Sequence, residues 1–583
     1  MNMKRKTILA TTTVALLAAV AAAADIRVEL KTKSGRPAVV CGDQKVSYYV
    51  SAGGDALTLA HPGGEYAKYA LLSNETERAE NRMTTVRLYG KAGVPEVKVT
   101  AMIDVLSERV FTVRTEVLNL GEKALLTHGR NSFEILRLQN PPVEERKGVY
   151  RFGIDDYFGL KFLFGAGYYT RFVWETLSYT MTSDEPFYVE PFGHPAQRLT
   201  RIASYGFVLR FEPGVPQATT IRVEVGGGSR EQPEYAAQVR TQIVDRMRLF
   251  KEKFPAQLHW PDRRPLVMWI PSADLVLNHT LNPRGYRGAR DVTTPEGMAA
   301  FRTTVLANAS NVVKRCLQAN AQGAILWDFE GQEDRHATTY IGSPDRILLQ
   351  APEMDAVADE MFAVFQDAGL RAGLTLRPQE VKIRDNLQPD YPKTWKRFHA
   401  KYRQDSDPNT AVFGRDGMVD EDLLIQHLSR KAGYAYRRWN VTVFYIDSPA
   451  GISPHVMTEL ARLHPDCLFI PEFPVTGYYG SAAPLHLSAD PGRGVKLARE
   501  VWPNAFGCAF GTHLYSNNTN SVALFTRWVK DRHLPVYEGD PAAIRAILDE
   551  HGIPEHHDPA RMRWNDNQPV GRALQARWLK LYR

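Results

Sequence analysis

The chain holds 583 residues, 44% of them hydrophobic and 23% charged, the balance of a soluble globular protein and too much chain for one ordinary core, so two or three domains are expected. The net charge of +7 falls to a mild excess once Lys4, Arg5 and Lys6 are set aside with a leader, and no Lys/Arg-rich run accompanies it, which argues against a nucleic-acid partner. Four cysteines, Cys41, Cys316, Cys467 and Cys508, stand apart with no CxxC pair, which excludes a disulfide scaffold and a zinc–cysteine site.

The opening "MNMKRKTILATTTVALLAAVAAAAD" has a basic head, an apolar centre and a run of small residues. That is the layout of a cleaved secretory signal over residues 1–24, and it predicts a periplasmic or secreted protein. An uncleaved anchor is the alternative, but the apolar part is short and threonine-rich for a span of about 20 residues. No further spanning segment follows, and no Cys is placed for lipid attachment. In such a compartment the cysteines are expected as buried free thiols, with a Cys467–Cys508 bridge as the alternative.

Residues 25–228 read as an antiparallel β-sandwich. "EVKVTAMIDVL", "RVFTVRTEVLN" and "TIRVEV" alternate apolar and polar residues with period 2, and turn signals rather than helical patterns separate them. "GGGSREQP" breaks the pattern. Residues 229–260 then read as a linker helix, with Val239, Ile243, Met247 and Phe250 near one face.

Over residues 261–552 the rhythm becomes strand, loop, helix. The apolar runs are "PLVMWI", "GAILWDFEG", "AGLTLRP", "VTVFYIDS", "CLFIPEF", "AFGCAFG" and "LPVYEGD". Between them, Thr294 and Pro295 open one helix and Gly369 stops another. Continuous apolar strands alternating with helices imply a parallel sheet covered on both faces. Seven such strands fit a (β/α)8 TIM barrel, the eighth strand unidentified, better than an open doubly wound sheet. Residues 553–583 are left as a C-terminal extension.

Two apolar runs end in acids: Asp447 closes the fourth and Glu472 the fifth. In a parallel barrel the C-terminal strand ends converge on one mouth, where catalytic groups collect. Neighbouring strands lie about 4.8 Å apart, so the two carboxylates should be roughly 5–7 Å apart. Retaining glycosidases need about 5–5.5 Å and inverting ones about 6.5–9.5 Å, so the pair favours retention. Asp447 is assigned as nucleophile and Glu472, between Pro471 and Phe473, as acid/base.

Asp328 and Glu330 in "AILWDFEGQ" are two apart and would share one face of an extended strand. They are expected to bind sugar hydroxyls, or one to support the other electrostatically, and a DxE catalytic pair is the alternative. Trp327 or Trp269 could supply an aromatic platform, and Arg377 could orient a carboxylate or bind a substrate oxygen. Tyr445, Tyr478, Tyr479, His279 and His513 complete the candidate lining of the mouth. No His-x-His, GxSxG elbow or phosphate-binding glycine loop occurs, which disfavours a metallohydrolase, a serine hydrolase and a nucleotide site. No metal or cofactor is implied.

With its acids placed, the chain resembles the retaining α-glycosidase barrels of the α-amylase group and the endo-α-N-acetylgalactosaminidase group. Those families carry an aspartate nucleophile after the fourth strand and a glutamate acid/base after the fifth, and "FYIDS" and "FIPEF" match in that order. It is also similar to the α-galactosidase and α-glucosidase barrels, through the Asp after strand four and the sandwich ahead of the barrel. They take their acid from the sixth strand, where "AFGCAFG" offers none. The resemblance covers about Pro265 to Asp540, and "WDFEGQE" has no counterpart in it. It implies hydrolysis of α-linked sugars, galactose or N-acetylgalactosamine type before glucose type, in an oligo- or polysaccharide or glycoconjugate. A non-catalytic carbohydrate-binding protein of the same architecture is the alternative, and a barrel lyase or isomerase using Glu472 as base is a third.

Overall fold

In the computed structural model the chain divides into two compact units, Met1–Lys253 and Phe254–Arg583. Residues described in the first unit are 28–33, 36–41, 47–50, 56–61, 67–108, 110–127, 134–139, 169–173, 178–183, 187–192, 199–204, 210–226, 244, 247–248 and 251–252. In the second they are 254–555 except 256, 272–284, 289–290, 332–341, 379–420, 448–453, 473–475, 488–491 and 515–518. The expected signal and the C-terminal extension beyond 555 lie outside them, as do Val239, Ile243 and Phe250 of the expected linker helix.

The first unit is an antiparallel sandwich of a six-stranded and a ten-stranded sheet. Period-2 patterning builds it. Along Val94–Ser107, Val97, Val99, Ala101 and Ile103 are at most 1% exposed, while the residues between them are partly exposed. That strand pairs with Arg82–Lys91 through a two-residue turn in which Ala92 and Gly93 both take positive φ, the hairpin geometry that matches strand twist. On the wetter face Arg82 and Asp104 are direct cross-strand partners and form an ion pair.

The second unit is an eight-stranded parallel barrel. Its strands in chain order are Leu266–Trp269, Gly323–Leu326, Arg371–Leu376, Val443–Ile446, Leu468–Pro471, Leu485–Leu487, Cys508–Leu514 and Leu534–Gly539. They are paired in the order 5-4-3-2-1-8-7-6. The seam between the fifth and sixth is bridged where Ala483 N donates to Phe469 O at 2.9 Å. The strand missing from the sequence reading is therefore the sixth, and "AFGCAFG" forms the seventh. Three residues flanked by Pro484 and containing His486 give too little apolar pattern to register as a strand.

Alternation sorts the strand side chains. Leu266, Met268, Ile325, Trp327, Val443, Tyr445, Leu468, Ile470, Leu485, Cys508, Leu534 and Val536 share one core with Leu258 and Trp260, which makes this the barrel interior. Residues in the opposite phase meet the helices, as where the Trp269 ring lies 6.0 Å from that of Phe365. Gly373 sits in the interior phase, where a Cβ would meet Ile325 and Val443 at 3.0 and 3.1 Å.

The helices follow their sequence signals. Thr294 accepts from Gly297 N at 3.1 Å with Pro295 in the first turn of Pro295–Gln318, and Gly369 lies just past the end of Pro352–Asp367. The helix Glu421–Trp439 is tied to the latter by Arg438, whose side chain reaches Asp355 and Asp359 and lies over the Trp439 ring. With Arg438 only 4% exposed, Arg438→Met should destabilise the barrel by about 3 kcal/mol, because two largely enclosed carboxylates lose their cation. Urea unfolding followed by tryptophan fluorescence reads this directly.

Cys316, Cys467 and Cys508 are buried free thiols, and burial pushes all three well up from the usual thiol range. The alternative Cys467–Cys508 bridge is absent. No helix among the described residues is long and apolar enough to cross a membrane.

Candidate active site

The ladder sets the rim. Leu376 pairs with Ile446 and Ile446 with Pro471, so Arg377, Asp447 and Glu472 are the next residues on three adjacent strands. The backbone carries the register one step further: Asp447 N donates to Leu376 O at 2.8 Å and Glu472 N to Ile446 O at 3.0 Å. By the two-residue period, Asp447 follows inward Tyr445 and Glu472 follows inward Ile470. Both carboxylates thus stand over the C-terminal mouth at one level, on strands about 4.8 Å apart.

Arg377 Nε donates to Asp447 Oδ2 at 2.8 Å, with side chains 13% and 14% exposed. The pair is neither dry nor fully solvated, which leaves Asp447 fixed in direction and open to a ligand. Beneath it Tyr445 is 3% exposed. Burial first, then the charges of Glu472 and Asp447, drive its phenol well above the usual range. It therefore stays protonated, within the field of both acids.

The floor below the acids is aromatic. The Trp327 ring lies 4.5 Å from Tyr445 and 5.5 Å from Phe510, all three facing the barrel axis. Trp327 belongs to the core of the barrel and is 6% exposed. Trp269 is not there, since it points to the helices.

Asp328 and Glu330 do not share a strand face. The second strand ends at Leu326, and Gly331 N bonds back to Asp328 O at 2.9 Å to make a turn. Asp328 is 0% and Glu330 2% exposed. Glu330 Oε1 accepts from Ser343 N at 2.7 Å, and burial lifts its carboxyl to about 7. The structure thus corrects the shared strand face expected of the two acids: the strand stops at Leu326, too early for the period-2 argument.

Tyr478 and Tyr479 lie in the turn Thr476–Gly480 and are 1% and 2% exposed. The Tyr479 hydroxyl is 2.7 Å from His486 Nε2, and His486 has the outward phase of the sixth strand. Tyr479 therefore packs outside the barrel, away from the mouth. His279 lies outside the described residues; His513 is on the seventh strand, with its side chain outside them.

Residues that the sequence reading did not pick out complete the setting. Arg377 N donates to Gly342 O at 3.1 Å, and Gly342 has φ +68 with room for no Cβ, which would sit 2.4 Å from Arg377 N. Lys431 Nζ donates to Arg377 O at 2.7 Å. A lysine at a core position of an amphipathic helix was the signal available for the second. The corrected strand order supplies another: the sixth strand ends at Leu487, three residues before Asp490 in the sequence. Asp490 itself lies outside the described residues. Among the described residues no group of three or more His, Cys, Asp and Glu gathers as a metal site would.

No family model and no curated protein matches the chain. Solved structures similar to it include the GH36 α-galactosidase AgaB of Geobacillus stearothermophilus, at 10% identity and TM-score 0.36, covering 85% of this chain and 74% of that one. They also include the α-N-acetylgalactosaminidase NagBb of Bifidobacterium bifidum, at 12% identity and TM-score 0.35, covering 90% and 91%. The galactosidase domain of an α-galactosidase–sucrose kinase, AgaSK, is similar at 11% identity and TM-score 0.34, covering 85% and 74%.

Proposed function

We propose that this protein is an exported glycoside hydrolase acting on α-linked sugars with retention, galactose or N-acetylgalactosamine type before glucose type. The observation that carries the reading is the rim itself: two acidic residues at one level on adjacent strands, at the C-terminal ends of a nearly closed parallel barrel. An arginine is bonded to one of them. Export rests on the layout of residues 1–24.

In this reading an Asp447 oxygen attacks the anomeric carbon as the bond to the leaving oxygen breaks. Glu472 gives its proton to that oxygen. The Glu472 carboxylate then takes a proton from water, whose oxygen displaces Asp447 and releases the sugar. Arg377 aims Asp447 through its Nε–H, while the neutral Tyr445 lies beneath the acids. Trp327 and Phe510 offer an apolar face to a sugar ring.

A panel of aryl α-galactosides, α-N-acetylgalactosaminides and α-glucosides tests the activity, and proton NMR of the first product tests its stereochemistry. An α-configured first product is expected. Hydrolysis giving the β-anomer first would overturn retention. Binding without release of any sugar would favour the non-catalytic alternative.

A second reading has its own observation. The barrels with an acid after the sixth strand matched poorly only while "AFGCAFG" stood as that strand. The sixth strand is now Leu485–Leu487, and in the sequence "LHLSAD" Asp490 follows three residues after it. In this variant Asp490 is the acid/base, Asp447 keeps its role and Glu472 binds substrate.

A further inference from the structure

The residue that holds Asp447 is itself held from behind. Arg377 follows the last paired residue of its strand, where the ladder no longer fixes its backbone from both sides. There its carbonyl accepts from Lys431 Nζ at 2.7 Å. Lys431 is 0% exposed and lies on the helix Glu421–Trp439. Helical period puts it on one face with Leu424, Leu428 and Ala435, each at most 2% exposed. A leucine would satisfy that pattern.

A cation at this depth carries a desolvation penalty of several kcal/mol per ion. Burial accordingly brings Lys431 down to about 7, with Asp345 and Glu330 opposing the shift and Arg430 and Arg346 adding to it. His427, on the same helix, feels the Lys431 charge. Arg430 Nε is bonded to Asp345 Oδ2 at 3.0 Å, so one of the two opposing carboxylates already has a cation. Besides the field of the buried Glu330, this charge has a directed role: its hydrogen bond to the Arg377 carbonyl.

We propose that Lys431 is a positioning residue for Asp447: by pinning the Arg377 backbone it sets where the Arg377 guanidinium meets the carboxylate. The structural half of this stands without the proposed function; the catalytic half rests on it. Two arms of one experiment keep them distinguishable.

The first arm uses the full chain labelled with 15N-arginine, with the Arg377 Nε–H signal assigned by Arg377→Lys. In the wild type that proton should be protected from solvent exchange. In Lys431→Met its exchange should accelerate at least about tenfold, while Arg438 Nε–H, bonded to Asp359, stays protected as a control for the fold. The second arm measures kinetics on the best aryl glycoside. Lys431→Met should lower kcat by about tenfold to a hundredfold with KM little changed. In an Arg377→Ala background it should add less than about twofold, because both changes act through one contact.

An Arg377 signal as protected in folded Lys431→Met as in the wild type overturns the proposal, and so do kinetic effects that multiply. Should Lys431→Met not fold, Lys431→Gln serves under the same criteria. It keeps a donor for the carboxylates but is one bond too short for the carbonyl. Absence of any glycosidase activity removes the second arm with the proposed function and leaves the first to decide.

Discussion

Asp447→Asn should lower kcat/KM on every α-glycoside the protein hydrolyses by about a thousandfold or more, because a neutral amide cannot form the glycosyl ester. The fold should survive. Asp447 sits at the rim with 14% of its side chain exposed, and the amide oxygen can still accept from Arg377. Unfolding by urea should therefore move by less than about 1 kcal/mol, the scale of one weakened hydrogen bond. Asp447→Gly with added azide gives a sharper reading. Azide can occupy the vacated space and attack the same carbon, so activity should return with a β-configured glycosyl azide as product. Wild-type turnover in Asp447→Asn would take this residue out of the mechanism.

Glu472→Gln should show the signature of a missing acid. On substrates with alkyl leaving groups it should lose about a hundredfold to ten-thousandfold, the usual contribution of a positioned proton donor. On a glycosyl fluoride, whose departure needs little protonation, bond cleavage should be far less affected. Asp490→Asn, assayed beside it, should lower both substrates equally if Asp490 only binds or supports. If Asp490→Asn instead spares the fluoride and Glu472→Gln does not, the acid belongs to the sixth strand and the second reading replaces the first. The two variants cannot both carry the leaving-group signature, because one proton donor serves one oxygen.

Much of the barrel was legible because its strands are written as continuous apolar runs and its helices carry end signals. Thr294–Pro295 and Gly369 are local instructions, and the structure places helix ends at them. Leu485–Leu487 was not legible, since its pairing comes from neighbours on either side and not from a pattern of its own. That one omission shifted the numbering of every later strand and hid the position of Asp490. The rim acids were legible for a related reason: an ionisable group ending a buried run has only the mouth or a partner to go to. Asp328 and Glu330 obeyed the same logic and took the other outcome. They turned into the protein, where Glu330 accepts from Ser343 N and feels the Lys431 charge. Whether a strand continues for two more residues decides between those outcomes, and the sequence "WDFEG" does not mark the stop. Lys431 was legible only in principle, as a charge on the face where Leu424 and Leu428 are buried.

The central claim is that Asp447 becomes covalently bonded to sugar. Incubation with 5-fluoro-α-galactosyl fluoride, followed by peptide mass spectrometry, tests it most directly. The account requires a fluorogalactosyl ester on the peptide containing Asp447, absent from Asp447→Asn. An enzyme that hydrolyses α-galactosides yet carries the label on another side chain, or turns the reagent over with inversion, contradicts it.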